Sequence, residues 1–332
     1  MNAKKNLLVT LANESYINQA KQLFSSVYWN AGWEGDYMLL AHEISEKKLK
    51  WFRDKWILIK KCKPIIKDIK SPESVKLSKF YMFKPEFKKW KNIVYLDADM
   101  IVKGSLDDLK RVRGFGAVLD HLVVNGLIDQ FIIPSQMGKK TFNKLKKMYD
   151  IKTLTFKSGV MAFSSDVIKK DIFPKLIKLF KCYTKLTKSG NLDQPIFNLF
   201  FYKKWEELPI LYNLDIKDFK FINYKKTKAI VIHFSESYKL GHHQNPIYEE
   251  WNSNLEKANK INLNKIPVPH KRFTQSEIKN YSHYLKIRSI FSFPNWIPFI
   301  DYQIGLIGIF LYDKFPKLYF ILKKLKNKKF KN

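Results

Sequence analysis

The chain has 332 residues, of which 45% are hydrophobic and 15% aromatic. This allows one large domain or about two domains with packed cores, and 12 Gly and 13 Pro are too few for a disordered or collagen-like chain. The 61 Lys and Arg outnumber the 30 Asp and Glu, giving a net charge of +31, which indicates an anionic partner such as nucleic acid, a membrane surface or a phosphorylated substrate.

Strands and helices alternate along the first 235 residues. Apolar runs predict strands at residues 6–12, 36–41, 56–60, 92–96, 115–119, 159–163 and 229–234. Helical spacing follows the first strand at Ile17, Ala20, Phe24 and Val27, begins again at Ser71, and covers residues 139–149, 167–186 and 194–202. This order predicts an α/β fold with a mostly parallel sheet, whose ligands bind beyond the carboxyl ends of the strands.

Two carboxylates, Asp97 and Asp99, flank Ala98 directly after the apolar strand at 92–96. Close carboxylates repel each other, and a divalent cation such as Mn²⁺ or Mg²⁺ relieves that repulsion while keeping substrate phosphates as further ligands. The motif therefore predicts a metal–diphosphate site. The alternative, a polar strand end with one acid capping a turn, stays open.

Four further residues, at three places in the chain, have both a functional and a structural interpretation. His233 follows an apolar run and is either a third metal ligand or a hydrogen-bonded core histidine. Lys239, six residues on, either neutralises a leaving diphosphate or is a solvated loop lysine. Asp193 and Gln194 either face a reacting sugar or merely begin a helix that has Pro195 in its first turn.

The last 63 residues, 270–332, carry 13 Lys and Arg against three acids and are rich in aromatic and Ile side chains. Leu318, Ile321, Leu322 and Leu325 recur at helical spacing among lysines. This pattern predicts a basic amphipathic helix that contacts a membrane surface. The alternative is a basic helix packed on the preceding domain.

Cellular location is suggested by what the sequence lacks. Cys62 and Cys182 form no disulfide framework, which favours a reducing, cytoplasmic environment. The apolar run at residues 7–12 is too short for a signal peptide. The apolar run at residues 302–312 is shorter than the roughly 20 residues of a membrane span. We therefore expect a cytoplasmic protein, peripheral to the membrane at most.

The ordered set of motifs resembles glycosyltransferase family 8, the group that includes glycogenin and bacterial lipooligosaccharide galactosyltransferases. The similar segments are residues 8–13 with Tyr16, Lys79, 94–102, 106–109, 156–160, 192–194, 208–213, and 232–234 with Lys239. Two departures stand out: Lys157 replaces a frequent Asn or Asp, and Leu240-Gly241 replaces the usual Pro-Trp after Lys239.

The resemblance implies a GT-A fold, the Rossmann-like fold of nucleotide-diphospho-sugar transferases, at residues 1–266, followed by a C-terminal extension at 267–332. It also implies roles for the matching residues. Uridine would be held by Thr10, Ala12, Asn13 and Tyr16, and Lys79 would contact the nucleotide or sugar. The metal ion, Mn²⁺ or Mg²⁺, would be bound by Asp97, Asp99 and His233, and the diphosphate by Lys239. On the sugar side, Asp120 would bind hydroxyls, Ser158 and Gly159 would shape the pocket, and Asp193 and Gln194 would lie near the anomeric carbon.

The activity implied by the resemblance is retaining transfer of a hexose, glucose or galactose, from a UDP-sugar to a glycan, a lipid-linked or a protein acceptor. Attack from the leaving-group side with Gln194 in support is the expected mechanism, and a homodimer is compatible with the sequence. Two other classes stay open. The charge permits a nucleic-acid-binding protein, and Asp97 and Asp99 permit a phosphohydrolase, although Ile101 stands where that pattern has Thr or Val.

Overall fold

The computed structural model describes residues 5–66, 72–120, 126–132, 134–187, 192–216, 227–234, 248–269, 272–290 and 297–329. Lys239 lies outside the described residues, so its proposed contact with a diphosphate stays a prediction. The ten described strands are β1 (Asn6–Ala12), β2 (Asp36–His42), β3 (Leu58–Cys62), β4 (Asn92–Leu96), β5 (Met100–Val102), β6 (Phe115–Leu119), β7 (Phe156–Ser164), β8 (Glu206–Leu208), β9 (Leu214–Asp215) and β10 (Val231–His233).

Seven of these strands form the main sheet, in the order β3-β2-β1-β4-β7-β6-β8. Strand β1 pairs in parallel with β2 and β4, β2 with β3, and β6 with β8. Only β7 runs antiparallel to both of its neighbours, β4 and β6. The predicted α/β fold with a mostly parallel sheet is confirmed.

The described α-helices are α1 (Ile17–Ala31), α2 (Glu46–Asp54), α3 (Pro134–Met137), α4 (Lys139–Met148), α5 (Ile172–Tyr183), α6 (Gln194–Phe200), α7 (Tyr248–Lys257), α8 (Gln275–Ile290), α9 (Ile297–Lys314) and α10 (Pro316–Lys329). Three elements differ clearly from the sequence prediction. The helix expected at 167–186 is interrupted, because Ser165–Val167 and Thr184–Leu186 are 3₁₀ turns and α5 covers only Ile172–Tyr183. The segment Pro72–Phe83 is a 3₁₀ helix, and apolar spacing did not reveal this because both helix types bring residues three apart together. Strand β3 begins at Leu58 rather than 56 because Trp56 is left-handed, with φ 60°, in the turn after α2.

Hydrophobic clusters cover both faces of the main sheet. Alternate residues of β1 point into them: Leu8 joins the cluster that includes α1, and Leu7 and Val9 join the one that includes α5 and α6. A strand buried on both faces is typical of a parallel sheet. Ile278 and Leu285 of α8 also lie in the first cluster, so α8 packs on the core, while the domain boundary at 266/267 stays a prediction.

A second, three-stranded sheet has the order β5-β10-β9. Strand β10 is antiparallel to β5 and parallel to β9, and its last residue, His233, pairs with Met100 and Asp215. Since β4 belongs to the main sheet and β5 to the small one, the intervening Asp97-Ala98-Asp99 turn joins the two sheets. Strand pairing therefore brings His233, distant in sequence, next to this turn.

The C-terminal helices α9 and α10 present an apolar face to solvent. Helix α9 packs on α3 through small residues: a Cβ on Gly305 would lie 2.5 Å from Pro134 Cδ. Large apolar side chains elsewhere on the pair are about half exposed, namely Ile300, Ile304, Ile307, Phe310, Phe315, Leu318, Phe320, Ile321 and Leu322. The predicted helix near the C-terminus is confirmed as α10, and its Leu318, Phe320, Ile321 and Leu322 side chains are about half exposed.

None of the described helices is both long and apolar enough to cross a bilayer.

Candidate active site

Asp97, Asp99 and His233 converge at the junction of the two sheets. One ligand atom from each lies within 4.8 Å of the others. His233 Nε2 is 3.4 Å from Asp99 Oδ1 and 4.0 Å from Asp97 Oδ2. Two carboxylates and an imidazole suit Mn²⁺ or a similar divalent cation. The structure thus brings together the three residues that the sequence suggested as metal ligands.

Main-chain contacts fix this turn beside Gly159. The Asp97 N–H donates to the Gly159 carbonyl (2.9 Å), and the Phe234 N–H donates to the Asp99 carbonyl (3.0 Å). A Cβ on Gly159 would lie 2.9 Å from His233 Cε1 and 3.1 Å from Asp97 Oδ2. The predicted pocket residue Gly159 therefore faces the metal-ligand group, and a side chain there would crowd two of its members.

The carboxyl of Asp97 lies in an environment that disfavours its charge. Burial raises the pKa of Asp97; Lys79 opposes this shift, the nearby Asp99 adds to it, and the net direction is upward. The Tyr95 hydroxyl donates to Asp97 Oδ1 at 2.6 Å. A bound divalent cation would offset the repulsion between the two carboxylates, so the donor set and its electrostatics fit a metal.

His233 is held by a hydrogen bond on its other ring nitrogen. Its Nδ1 lies 2.9 Å from Asn213 Oδ1, so an N–H on Nδ1 donates to that amide oxygen and Nε2 faces the two acids. Burial alone would lower the pKa of His233, but Asp99, Asp215 and Asp97 outweigh it and raise the pKa to about 8. An oxygen acceptor behind the ring is the arrangement found for metal-binding histidines.

Lys79 is a buried cation that links the metal-ligand turn to α6. Its Nζ lies 3.0 Å from Asp97 Oδ1 and 2.8 Å from Asp193 Oδ2. Burial disfavours the charge on Lys79, yet the two carboxylates raise its pKa above the usual range. Burial also disfavours the Asp193 anion, but Lys79 lowers the pKa of Asp193 overall, and the Ser158 hydroxyl donates to it at 2.7 Å. Asp193 is therefore an ion-paired carboxylate.

An amide network holds the adjacent Gln194. Its Nε2 donates to Asp120 Oδ2 (2.9 Å) and Gln130 Oε1 (3.2 Å), and its Oε1 accepts from the Ser158 N–H (3.1 Å). The Gln130 Nε2 also donates to Asp120 Oδ2, at 2.7 Å. Asp120, Gln194 and Ser158 thus lie together at one edge of the sheet, and their contacts with a sugar stay predictions.

The four residues suggested for uridine lie at the carboxyl end of β1. The Thr10 hydroxyl is buried and donates to the Leu96 carbonyl of β4 at 2.8 Å, so Thr10 supports the approach to the metal-ligand turn. Ala12 is buried, Asn13 Oδ1 accepts from the Ser15 N–H at 3.1 Å, and the ring of Tyr16 is 45% exposed. Their contacts with a nucleotide stay predictions.

Sequence reasoning missed several residues that complete this site. Tyr95, Asn213 and Gln130 each hydrogen-bond a predicted site residue. Asn213 ends a segment already noticed for its resemblance, whereas Gln130 had no sequence signal because a separate 3₁₀ helix, Gly126–Gln130, carries it to Asp120. Lys157 lies 3.6 Å from the buried Asp215, so the residue that departs from the family pattern sits beside the metal-ligand group in an ion pair.

Among curated proteins, a glycosyltransferase from Streptococcus pneumoniae serotype 4 named GlyB is 28% identical over 170 residues, which is 50% of this chain and 36% of that protein. Solved structures share the fold at lower identity. The galactosyltransferase LgtC in complex with donor and acceptor sugar analogs gives a TM-score of 0.54 at 16% identity, covering 80% of this chain and 98% of LgtC. The bifunctional glycosyltransferase WbbM gives 0.56 at 16%, covering 79% and 52%.

The chain thus spans about a third of GlyB and half of WbbM, while it aligns with nearly all of LgtC. The model of the family described as "Glycosyl transferase family 8" matches residues 8–243, a stretch that contains every residue of the site described above. Because this match covers well over half of the sequence, the chain belongs to glycosyltransferase family 8.

Proposed function

We propose that this glycosyltransferase transfers a hexose, glucose or galactose, from a UDP-sugar to a glycan or lipid-linked acceptor, with retention of configuration and with help from a divalent cation. The observation that carries the proposal is the convergence of Asp97, Asp99 and His233 within 4.8 Å beside a buried Lys79. The fold shared with a galactosyltransferase solved with donor and acceptor analogs supports the sugar-donor part.

The site has to stabilise the negative charge that develops on the leaving group. Breaking the sugar–phosphate bond releases a diphosphate, and a cation held by Asp97, Asp99 and His233 would supply positive charge to it. The Asn213 amide oxygen keeps the His233 ring oriented with Nε2 toward that position. Gly159 leaves room beside the ligands because it has no side chain.

Stabilisation of the sugar falls to Gln194 and its partners. An oxocarbenium-like sugar carries positive charge at the anomeric carbon, which nearby amide and carboxylate oxygens stabilise. Asp193 is already paired with Lys79 and Ser158, so we assign it an electrostatic and positioning role and not that of a nucleophile. Gln194, fixed by Asp120 and Gln130, supports attack from the side of the departing diphosphate.

An anionic lipid surface is the partner that we assign to the exposed face of α9 and α10. The half-exposed side chains of that face are aliphatic and aromatic, and α10 carries six lysines and no acid. Apolar side chains enter the headgroup region, and each lysine near an anionic leaflet adds about 1 kcal/mol. A membrane-bound enzyme would meet a lipid-linked acceptor at that surface.

The test is hydrolysis and binding of a UDP-sugar panel with Mn²⁺, comparing the native chain with the Asp97→Asn/Asp99→Asn variant. We expect one or two UDP-hexoses to be cleaved slowly by the native protein, and the variant to be slower by about 10³-fold. Asp166→Asn/Asp171→Asn, two acids outside the site, is the matched control. Equal cleavage by both carboxylate variants, or no binding of any nucleotide sugar, would contradict the proposal.

A further inference from the structure

A cleft of about 600 Å³ lies away from the metal-ligand group. It is lined by Trp29 near the end of α1, Lys103 after β5, and residues of α7 and the turn that follows it. Strand β5 runs from Met100, next to Asp99, to Val102, next to Lys103. The cleft therefore sits at the far end of β5, about 10 Å along the strand from the metal-ligand turn.

Two buried donors of this cleft lack a hydrogen-bond partner among the described residues. They are the indole N–H of Trp29 and the side-chain NH₂ of Asn254, a residue only 5% exposed. Both groups donate and neither accepts. Since buried donors without partners are costly, two such donors on residues that line one cleft point to an occupant that brings acceptor oxygens.

The charged side chains around the cleft indicate that this occupant is an anion. Three lysines, Lys103, Lys257 and Lys260, line it against one acid, Glu250. The ammonium of Lys103 pairs with Glu250 at 3.1 Å, while Lys257 and Lys260 are exposed at the cleft. The set is net positive, and lysine recognises phosphate as a point charge.

We infer that this cleft binds a phosphate group carried on a sugar, at a site separate from the proposed donor site. The lysines and the two N–H donors match the oxygens of a phosphate. A volume of about 600 Å³ is within the range of small-ligand pockets and exceeds the needs of phosphate alone, and the Trp29 indole offers an apolar surface next to the donors. The occupant is thus a glycosyl phosphate, such as the phosphorylated end of an acceptor glycan.

The test follows the Trp29 indole signal in ¹H–¹⁵N spectra of the full chain. The protein has eight Trp, and Trp29→Phe assigns the relevant signal. The Asp97→Asn/Asp99→Asn background with EDTA removes binding at the metal-ligand group, so failure of the proposed function and failure of this inference are separable. Glucose 1-phosphate, inorganic phosphate, UDP and glucose are titrated at constant ionic strength.

We expect a saturable shift of the Trp29 signal with glucose 1-phosphate and none with glucose. Lys257→Gln/Lys260→Gln should weaken binding by at least about tenfold, whereas Lys140→Gln/Lys147→Gln on α4, two exposed lysines outside the cleft, should not. Equal binding of inorganic phosphate or UDP would keep the phosphate site and identify free phosphate compounds as its source.

A second variant separates binding from folding. Asn254→Leu removes the unpartnered NH₂ and keeps the number and branching of the side-chain heavy atoms, so we expect binding to weaken while the melting temperature stays level or rises. The inference is overturned if the Trp29 signal does not shift saturably, if the shift also occurs in the Lys257/Lys260 variant with unchanged affinity, or if sodium chloride alone reproduces it.

Discussion

The carboxyl edge of the main sheet and the C-terminal pair α9–α10 differ in what they bury. At the sheet edge, Lys79 and Asp193 are nearly inaccessible charged groups, 2% and 3% exposed. On α9, Ile304 and Ile307 are apolar yet 50% and 56% exposed. Each arrangement is unfavourable in isolation, since charge is costly to bury and apolar surface is costly to expose. Under the proposed function, each unfavourable arrangement is offset by a different partner: a cation and a phosphorylated sugar at the sheet edge, and a lipid surface at α9 and α10.

The largest expected effect comes from Lys79→Met, which tests whether the charged groups at the sheet edge depend on each other. The substitution leaves the buried Asp193 and the partly buried Asp97 without their shared cation, so we expect the free energy of unfolding to fall by about 3–5 kcal/mol. Urea denaturation measures it. Adding Asp193→Asn to Lys79→Met removes a stranded charge as well, and the pair should lose less than the sum of the single variants.

A loss no larger than about 0.5 kcal/mol for Lys79→Met, the usual range of a surface substitution, would show that the buried charges do not depend on each other. The control is Lys147→Met on an exposed position of α4, for which we expect a change inside that range.

Gly159→Ala tests the metal-ligand group without altering any charge. The new Cβ would crowd His233 and Asp97, at 2.9 and 3.1 Å from their nearest atoms, so we expect Mn²⁺ affinity and kcat/KM to fall by about 10²-fold. Gly114→Ala is the matched control because nothing lies within 4 Å of its added Cβ. If both alanine variants keep full Mn²⁺ affinity, Gly159 is not required by the ligand geometry.

Part of this site could be predicted from the sequence and part could not. Periodicity found the strands of the main sheet, and the Asp97-Ala98-Asp99 motif and His233 were visible in one dimension. The pairing of Lys79 with Asp193 was not visible, because it depends on how the 3₁₀ segment Pro72–Phe83 packs against Phe197 of α6, and no local pattern encodes that packing. Gln130 was not predicted for the same reason, because its contact with Asp120 depends on tertiary structure rather than on sequence spacing.

The exposed face of α9 shows the opposite limit. Its apolar run at 302–312 was evident in the sequence, but nothing in the sequence indicated which of these residues face the protein and which face solvent. What decided between covered and exposed was the close approach of Gly305 to Pro134, which turns one side of α9 inward and leaves Ile304 and Ile307 outward. Sequence patterns give the composition of a helix face, whereas packing decides which face is buried.

The variant Ile304→Gln/Ile307→Gln tests whether the exposed apolar residues of α9 bind a lipid surface. We expect sedimentation with vesicles containing anionic phospholipid to fall by about tenfold, since each half-exposed Ile contributes roughly 1 kcal/mol or less when it enters the interface. Met148→Gln/Leu154→Gln is the control, since these side chains are 52% and 46% exposed elsewhere. Loss of self-association with unchanged vesicle binding would instead assign the face to a second copy of the chain.

The smallest expected effect comes from Tyr95→Phe, which probes how closely the sheet edge is tuned. The variant removes the hydroxyl that donates to Asp97 Oδ1 at 2.6 Å and leaves the buried ring in place. One hydrogen bond to a charged group is worth about 1.5–3 kcal/mol at most, and Lys79 still pairs with the same oxygen, so we expect a loss of about 1 kcal/mol of unfolding free energy. Mn²⁺ should restore part of that loss, because a cation stabilises the Asp97 anion that the hydroxyl no longer contacts. Equal destabilisation with and without Mn²⁺ would mean that Tyr95 contributes only to the stability of the fold and that Mn²⁺ does not stabilise the Asp97 anion.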